Sequence, residues 1–115
     1  YIHAEGYSAA EMKHGPLAII GENMPTVAFA SSDDQYEKTQ NNLFEILCRG
    51  GKITLITDRK MEDLDVDQII VPESSKYVAP IIFNIVSQLL AYETAVLLGK
   101  NVDQPRNLAK SVTVE

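Results

Sequence analysis

The sequence has little of what most metal, cofactor and phosphate sites require. Its single cysteine, Cys48, cannot form a disulfide within the chain. The two histidines, His3 and His14, have no histidine or cysteine neighbour at the spacing of a metal site. Neither common glycine-rich phosphate loop nor a Gly-x-Ser-x-Gly elbow is present. We therefore expect no metal and no cofactor, and a lone reduced cysteine favours the cytoplasm.

Basic residues are too few and too scattered to form a nucleic-acid surface. Lys and Arg number 10 against 16 Asp and Glu, a net charge of -6, and no basic stripe interrupts the acidic residues. The longest apolar stretch, residues 78–98, has nearly the length of a membrane span but contains Asn84, Gln88 and Glu93. Because such side chains are costly at bilayer depth, we interpret it as a soluble helix with most of its surface covered and expect no membrane partner.

What is present is the composition of one globular domain. The chain has 115 residues, of which 45% are apolar and 23% are charged, enough for one core and not for two. Short apolar runs predict strands at residues 26–30, 52–57 and 68–71, and the opening residues 1–5 are also strand-like. Residues 58–67 have the character of a polar loop.

Helical periodicity fills the spaces between these strands. We predict a short helix at residues 8–13, a second helix from residue 35 to Gly50, and a long one from Ser74 or Ser75 to about residue 98. Strands that read as continuous apolar runs and alternate with helices indicate a parallel sheet covered on both faces. The predicted fold class is an α/β sandwich.

The two irregular ends of the chain contain the residues with chemical potential. His14 precedes Gly15 and Pro16, where the backbone leaves helical geometry, so its ring can enter a cleft and move protons near neutral pH. Near the other end, Lys110 lies among apolar residues that can partly desolvate its amine and lower its pKa for attack on a carbonyl. Judged singly, each residue is more often a solvated or structural side chain.

Three segments taken together resemble one family. They are Tyr-Ile-His-Ala-Glu-Gly-Tyr at residues 1–7, Glu-Met-Lys-His-Gly-Pro-Leu-Ala at 11–18, and Asp-Gln-Pro-Arg-Asn-Leu-Ala-Lys-Ser-Val-Thr-Val-Glu at 103–115. They look like the end of the glucosamine-6-phosphate synthases, also called glutamine-fructose-6-phosphate aminotransferases. The resemblance follows the same order along essentially the whole chain.

This resemblance implies a fold and a domain assignment. Residues 1–115 correspond to the C-terminal portion of a sugar isomerase (SIS) domain, including a catalytic tail at residues 101–115. The implied architecture is a parallel, flavodoxin-like three-layer sandwich of five strands, here truncated at its N-terminus so that the strand beside residues 1–5 is missing. Because unpaired strand edges promote association, we expect residues 1–115 alone to sediment as an unstable, oligomeric or strand-swapped species.

The resemblance also implies an activity and site residues. Members of the family make glucosamine 6-phosphate from fructose 6-phosphate and ammonia released from glutamine, as homodimers or higher oligomers. By correspondence, His14 assists opening of the sugar ring in the neighbouring subunit, Lys110 forms a Schiff base with the ketose, and Ala109 lines the sugar. The family's proton-shuttling base lies before the strand that opens this chain, so neither Glu5 nor Glu11 takes that role. The alternative is a non-catalytic SIS module that binds a sugar phosphate.

Overall fold

The computed structural model describes residues 1–108, which are organised around a parallel sheet. The strands are β1 (Pro25–Ala30), β2 (Lys52–Thr57) and β3 (Asp67–Ile70), and they lie in the order β1-β2-β3. Residue Pro25 pairs with Lys52 and Ala30 with Thr57, while Thr57 also pairs with Ile70. The predicted parallel α/β fold is confirmed.

Helix α1 (Tyr36–Leu47) covers one face of this sheet. Side chains alternate along a strand, so every second residue of β1 and β2 points toward α1. The core between the strands and α1 is formed by buried apolar side chains: Ala28, Ala30, Ile53, Leu55, Leu43 and Ile46. At the start of α1 the carboxylate of Asp33 accepts a hydrogen bond from the backbone N–H of Gln35 at 2.8 Å, as expected for the polar residues before this helix.

Helix α2 (Ala79–Leu97) lies on the opposite face. Its Phe83 ring meets the ring of Phe29 of β1 edge to face, with centroids 6.1 Å apart. The outer face of α2 is uncovered: Ile81, Ile85, Leu89, Tyr92 and Val96 are all exposed. We call these five residues the α2 stripe.

The prediction that this helix has most of its surface covered is therefore wrong for the part of the chain that the structure describes. The physical reason is that a three-stranded sheet offers α2 a narrow surface, reached through Phe83. By length and composition alone α2 is also apolar enough to cross a membrane. Its start differs from the prediction as well. The serines before it provide no side-chain cap, and the helix begins at Ala79 with Pro80 in its first turn, where a missing N–H costs nothing.

The predicted opening strand is absent. Residues 1–8 form no regular secondary structure. A strand requires a neighbouring strand for its backbone hydrogen bonds, and among residues 1–108 none lies beside this segment. The next segment forms two 3₁₀ helices, Ala9–His14 and Pro16–Ile19, so the short helix expected at residues 8–13 is confirmed in 3₁₀ form.

The loop after β2 contributes to the core, although the sequence predicts a polar loop there. Met61 and Leu64 are 2% and 3% exposed and pack against the core under α1. The side-chain amide of Gln68 stabilises this arrangement. It accepts a hydrogen bond from the backbone N–H of Met61 at 3.0 Å and donates to the carbonyls of Met61 and Leu64 at 2.9 and 3.1 Å. Strand β3 runs from Asp67 to Ile70, so it begins and ends one residue earlier than predicted.

Candidate functional site

His14 occupies the junction of the two 3₁₀ helices. It is the last residue of the first helix, and Gly15, with φ of 141°, separates it from Pro16. That φ lies in the region that only glycine adopts without strain, so the turn requires a glycine directly after the histidine. The His14 side chain is exposed, and within residues 1–108 its ring makes no hydrogen bond. The position therefore leaves the imidazole exposed, and its role in a reaction stays a prediction.

Packing on both sides of His14 fixes this junction against α1. Met12 packs partly buried against the core, and Leu17 is 8% exposed within it. The Nζ atom of Lys13 lies 3.5 Å from Oε1 of Glu45 on α1, an exposed pair that orients the segment more than it stabilises it. The histidine thus projects from an anchored turn instead of a free loop.

The opening segment brings together three polar side chains that the sequence analysis did not connect. Nε2 of His3 lies 3.1 Å from Oε1 of Glu5, and the Tyr7 hydroxyl donates a hydrogen bond to the other carboxylate oxygen. The spacing of residues 3, 5 and 7 could have indicated this group, because alternate residues of an extended chain lie on the same side. All three are exposed.

Their mutual contacts shift two titrations. The hydrogen bond from Tyr7, followed by the one from His3, holds the pKa of the Glu5 carboxyl below its usual value. Donation to that carboxylate raises the pKa of the Tyr7 hydroxyl above its usual value. Glu5 therefore stays ionised and acts as an acceptor that ties the segment together.

A second polar group follows the carboxyl ends of the strands, the edge at which parallel α/β sheets commonly bind ligands. Asp58, directly after β2, accepts a hydrogen bond from the backbone N–H of Ser32 at 2.7 Å. The Ser31 hydroxyl lies 3.5 Å from the other oxygen of the same carboxylate. The Ser74 hydroxyl oxygen, after β3, is buried and has no hydrogen-bond partner among the described residues. The Asp58 carboxylate therefore links the loop after β1 to the loop after β2.

A shallow depression of about 270 Å³ lies between the start of α1 and the loop after β2. The Tyr36 hydroxyl there donates to the carbonyls of Arg59 and Lys60 at 2.9 and 3.1 Å, and the Arg59 guanidinium carbon lies 5.2 Å from the ring centroid. Burial raises the pKa of Tyr36. The Tyr36 hydroxyl is engaged in local structure and is not a free group at this depression.

The root of the tail, residues 99–108, is shaped by turns. Gly99 has φ of 64°, and the N–H of Lys100 donates to the Ala95 carbonyl at 2.8 Å, which ends α2 in a left-handed turn. The Oδ1 atom of Asn101 accepts hydrogen bonds from the backbone N–H groups of Asp103 and Gln104 at 3.0 and 2.9 Å. The predicted site residues Ala109 and Lys110 lie outside the described residues.

Of the two predicted catalytic residues, the structure describes His14 and, for Lys110, only the preceding residues 99–108. Within residues 1–108 no group of three His, Cys, Asp or Glu side chains has metal-binding geometry. A parallel sheet with a helix on each face, and with polar side chains after the carboxyl ends of its strands, defines an α/β sandwich domain.

Comparison with known proteins gives the family. The model of the SIS domain matches residues 1–98, so this chain belongs to the SIS domain family. Glutamine–fructose-6-phosphate aminotransferase (isomerizing) of Brucella abortus is 55% identical over an alignment of 119 positions that covers 100% of this chain and 20% of that protein. The enzyme of the same name from Rhizobium meliloti is 56% identical with the same coverage. This chain spans about a fifth of the length of these curated relatives.

The fold agrees with a solved structure of the same kind. The C-terminal domain of glucosamine-fructose-6-phosphate aminotransferase from Francisella tularensis matches with a TM-score of 0.83 and 40% identity, over 90% of this chain and 30% of that one. The resemblance deduced from the three sequence segments is therefore confirmed. The chain matches the C-terminal isomerase portion of aminotransferases of that name.

Proposed function

We propose that the protein to which this chain belongs is a glutamine-fructose-6-phosphate aminotransferase (isomerizing), and that residues 1–115 supply part of its isomerase site. The observation that supports this most directly is identity of 55 to 56% to proteins of that name along the whole chain, both irregular ends included. The chain alone is expected to be inactive, because the proton-shuttling base and the phosphate-binding hydroxyls implied by the family lie outside it.

In this proposal His14 acts first, on the closed sugar ring. Ring opening of fructose 6-phosphate requires a proton to leave the anomeric hydroxyl and another to reach the ring oxygen. An imidazole near neutral pH can supply or accept one of these protons. The exposure of His14 and its anchored position next to Gly15 support this role.

Lys110 acts on the open-chain ketose. Its neutral amine attacks the C2 carbonyl, and water leaves as the imine forms. Ammonia released from glutamine then displaces the lysine from C2, which frees the amine and leaves an imine of the sugar. That imine withdraws electrons from the adjacent C–H bond, so a base outside this chain can move a proton from C1 to C2. Ala109 lies next to the lysine in sequence and lines the sugar in this proposal, because a small side chain leaves room for the substrate.

Reductive trapping in the intact protein tests the proposal. Borohydride added with fructose 6-phosphate should reduce the imine to a stable secondary amine, and peptide mapping should find the added sugar mass on Lys110. Lys110→Arg should abolish the adduct, whereas Lys76→Arg, which changes an exposed lysine before α2, should leave it unchanged. An intact protein that binds the sugar phosphate without any adduct on Lys110 would instead be the non-catalytic binding module.

We further propose that the intact protein is a cytoplasmic homo-oligomer that binds a sugar phosphate. The resemblance supports a dimer or higher oligomer, and the exposed apolar α2 stripe supplies surface that a subunit contact can cover. The single cysteine supports a reducing compartment.

A further inference from the structure

The Tyr1 side chain connects the opening of the chain to the root of the tail. Its hydroxyl donates a hydrogen bond to the carbonyl oxygen of Arg106 at 3.1 Å. Two cations lie over its ring, with the Arg106 guanidinium carbon 4.5 Å and the Lys100 amine nitrogen 5.8 Å from the centroid. Both distances are within the range of cation–π attraction. One aromatic side chain thus contacts two points of a segment about a hundred positions away in sequence.

The other polar contacts of this segment are local. The hydrogen bonds of Asn101 to the amides of Asp103 and Gln104 stay within the segment, as does that of the Leu108 N–H to the Pro105 carbonyl. These turns give the segment a shape but not a location beside the domain. Among the hydrogen bonds, ion pairs and cation–π contacts within residues 1–108, those from Tyr1 supply the tie to a distant part of the chain.

We infer that Tyr1 is a positioning residue for Lys110, an inference that rests on the proposed function. Arg106 lies four positions before Lys110. An extended chain advances about 3.3–3.6 Å per residue, so fixing Arg106 confines the lysine backbone to within about 14 Å of that point. Attack on a carbonyl requires the reacting atoms to approach within about 3–3.5 Å, and restricting the tail raises the fraction of time spent there.

The size of the effect follows from the exposure of the contact. Tyr1 is 58% exposed, and exposed cation–π contacts are weak individually. Removal of the ring, and with it both cation–π contacts, should reduce the population in which Arg106 is held beside residue 1 by about three- to ten-fold. A positioning role therefore predicts a moderate loss in the rate of imine formation, unlike the complete loss expected for Lys110 itself.

The test uses the intact protein with saturating fructose 6-phosphate and borohydride. Tyr1→Leu removes the ring, and Tyr1→Phe keeps the ring while removing the hydroxyl. Tyr77→Leu is the matched control, because Tyr77 is 80% exposed with the amine of Lys76 at 5.4 Å from its ring centroid, outside the tail contact. The readouts are the rate of adduct formation on Lys110 and the rate of trypsin cleavage after Arg106.

We expect Tyr1→Leu to slow adduct formation about three- to ten-fold and to speed cleavage after Arg106 by a similar factor. Tyr1→Phe should recover most of both rates, a rescue that general loss of folding would not show. Tyr77→Leu should behave as the wild type. If Tyr1→Leu does not fold, Arg106→Gln tests the same contact from the other side and should slow adduct formation.

The outcomes separate the two ideas. A wild-type protein with no adduct on Lys110 overturns the proposed function and the inference with it. A wild-type adduct that forms equally fast in Tyr1→Leu, or in Arg106→Gln where that variant replaces it, overturns the inference alone.

Discussion

Replacement of Gly51 by alanine should loosen both the sheet and the segment that holds His14. Gly51 is buried between the end of α1 and the start of β2, and its N–H donates to the Ile46 carbonyl at 3.1 Å. A Cβ atom at this position would lie 2.5 Å from Cγ2 of Ile46, 2.7 Å from Cγ2 of Ile20 and 3.0 Å from the Ile46 carbonyl oxygen. Contacts this short require the neighbours to move.

The magnitude follows from overpacking in a closed core, which typically costs about 1–3 kcal/mol. The Cγ2 methyls of Ile20 and Ile46 branch from Cβ and move only by rotation about χ1, and the Ile46 carbonyl cannot move without stretching its hydrogen bonds. At about 1.4 kcal/mol per factor of ten, the opening equilibrium of this region should increase about 5- to 150-fold. Because Ile20 directly follows the second 3₁₀ helix, the change should reach the turn that carries His14.

Hydrogen exchange followed by mass spectrometry in the intact protein measures this locally. Peptides covering β2 and residues 9–19 should exchange faster by that factor in Gly51→Ala. Gly21→Ala is the matched control, since no atom lies within 4 Å of the added methyl, and its exchange should stay within about two-fold of the wild type. Equal exchange in the two variants would show that the close packing around Gly51 is not a constraint.

Two further predictions concern the opening segment and α2. The tyrosinate absorbance of the wild type minus that of Tyr7→Phe reports the Tyr7 hydroxyl, and its midpoint should lie above the ordinary pKa of 10.0, because donation to the Glu5 carboxylate favours the protonated phenol. Glu5→Gln should lower that midpoint, and an unmoved midpoint contradicts the hydrogen bond. If a second copy covers the α2 stripe, Leu89→Lys should weaken assembly of the intact protein by about 10- to 100-fold in sedimentation, because a buried leucine contributes about 1.5–3 kcal/mol. The control Ser87→Lys should leave assembly unchanged. Loss of folding in Leu89→Lys would indicate a core position, and no change would refute a contact there.

The central strands and α1 could be predicted because their apolar residues repeat with a regular period. The loop after β2 shows where this method fails. Met61 and Leu64 are isolated apolar residues without a period, yet they complete the core because the Gln68 amide satisfies the backbone around them. Hydrogen bonds from one glutamine side chain to the backbone of a loop leave no periodic signal in the sequence. The sequence could therefore indicate the loop but not its burial.

The candidate site was predictable to a different degree. Gly15 and Pro16 made the break after His14 predictable from backbone chemistry, but not the φ of 141° that Gly15 adopts there. The contacts of Tyr1 with Arg106 join distant parts of the chain through an exposed ring, and neither propensity nor periodicity encodes such a pair. Residue roles, including those of Lys110 and Ala109, came from the family resemblance.

The same distinction separates the core from the irregular ends, where the candidate site residues lie. The buried core under α1 fixes the strands, and a side chain there has no access to a substrate. His14 lies on a turn that Met12, Leu17 and one ion pair anchor, whereas the tail root is held by local turns and the Tyr1 ring, contacts that are individually weak. In the proposed reaction a lysine that forms and releases an imine must approach the sugar and leave it in every turnover, which weak contacts permit. Under the proposed function, weak contacts at the tail root and strong packing in the middle of the chain are complementary requirements of that reaction.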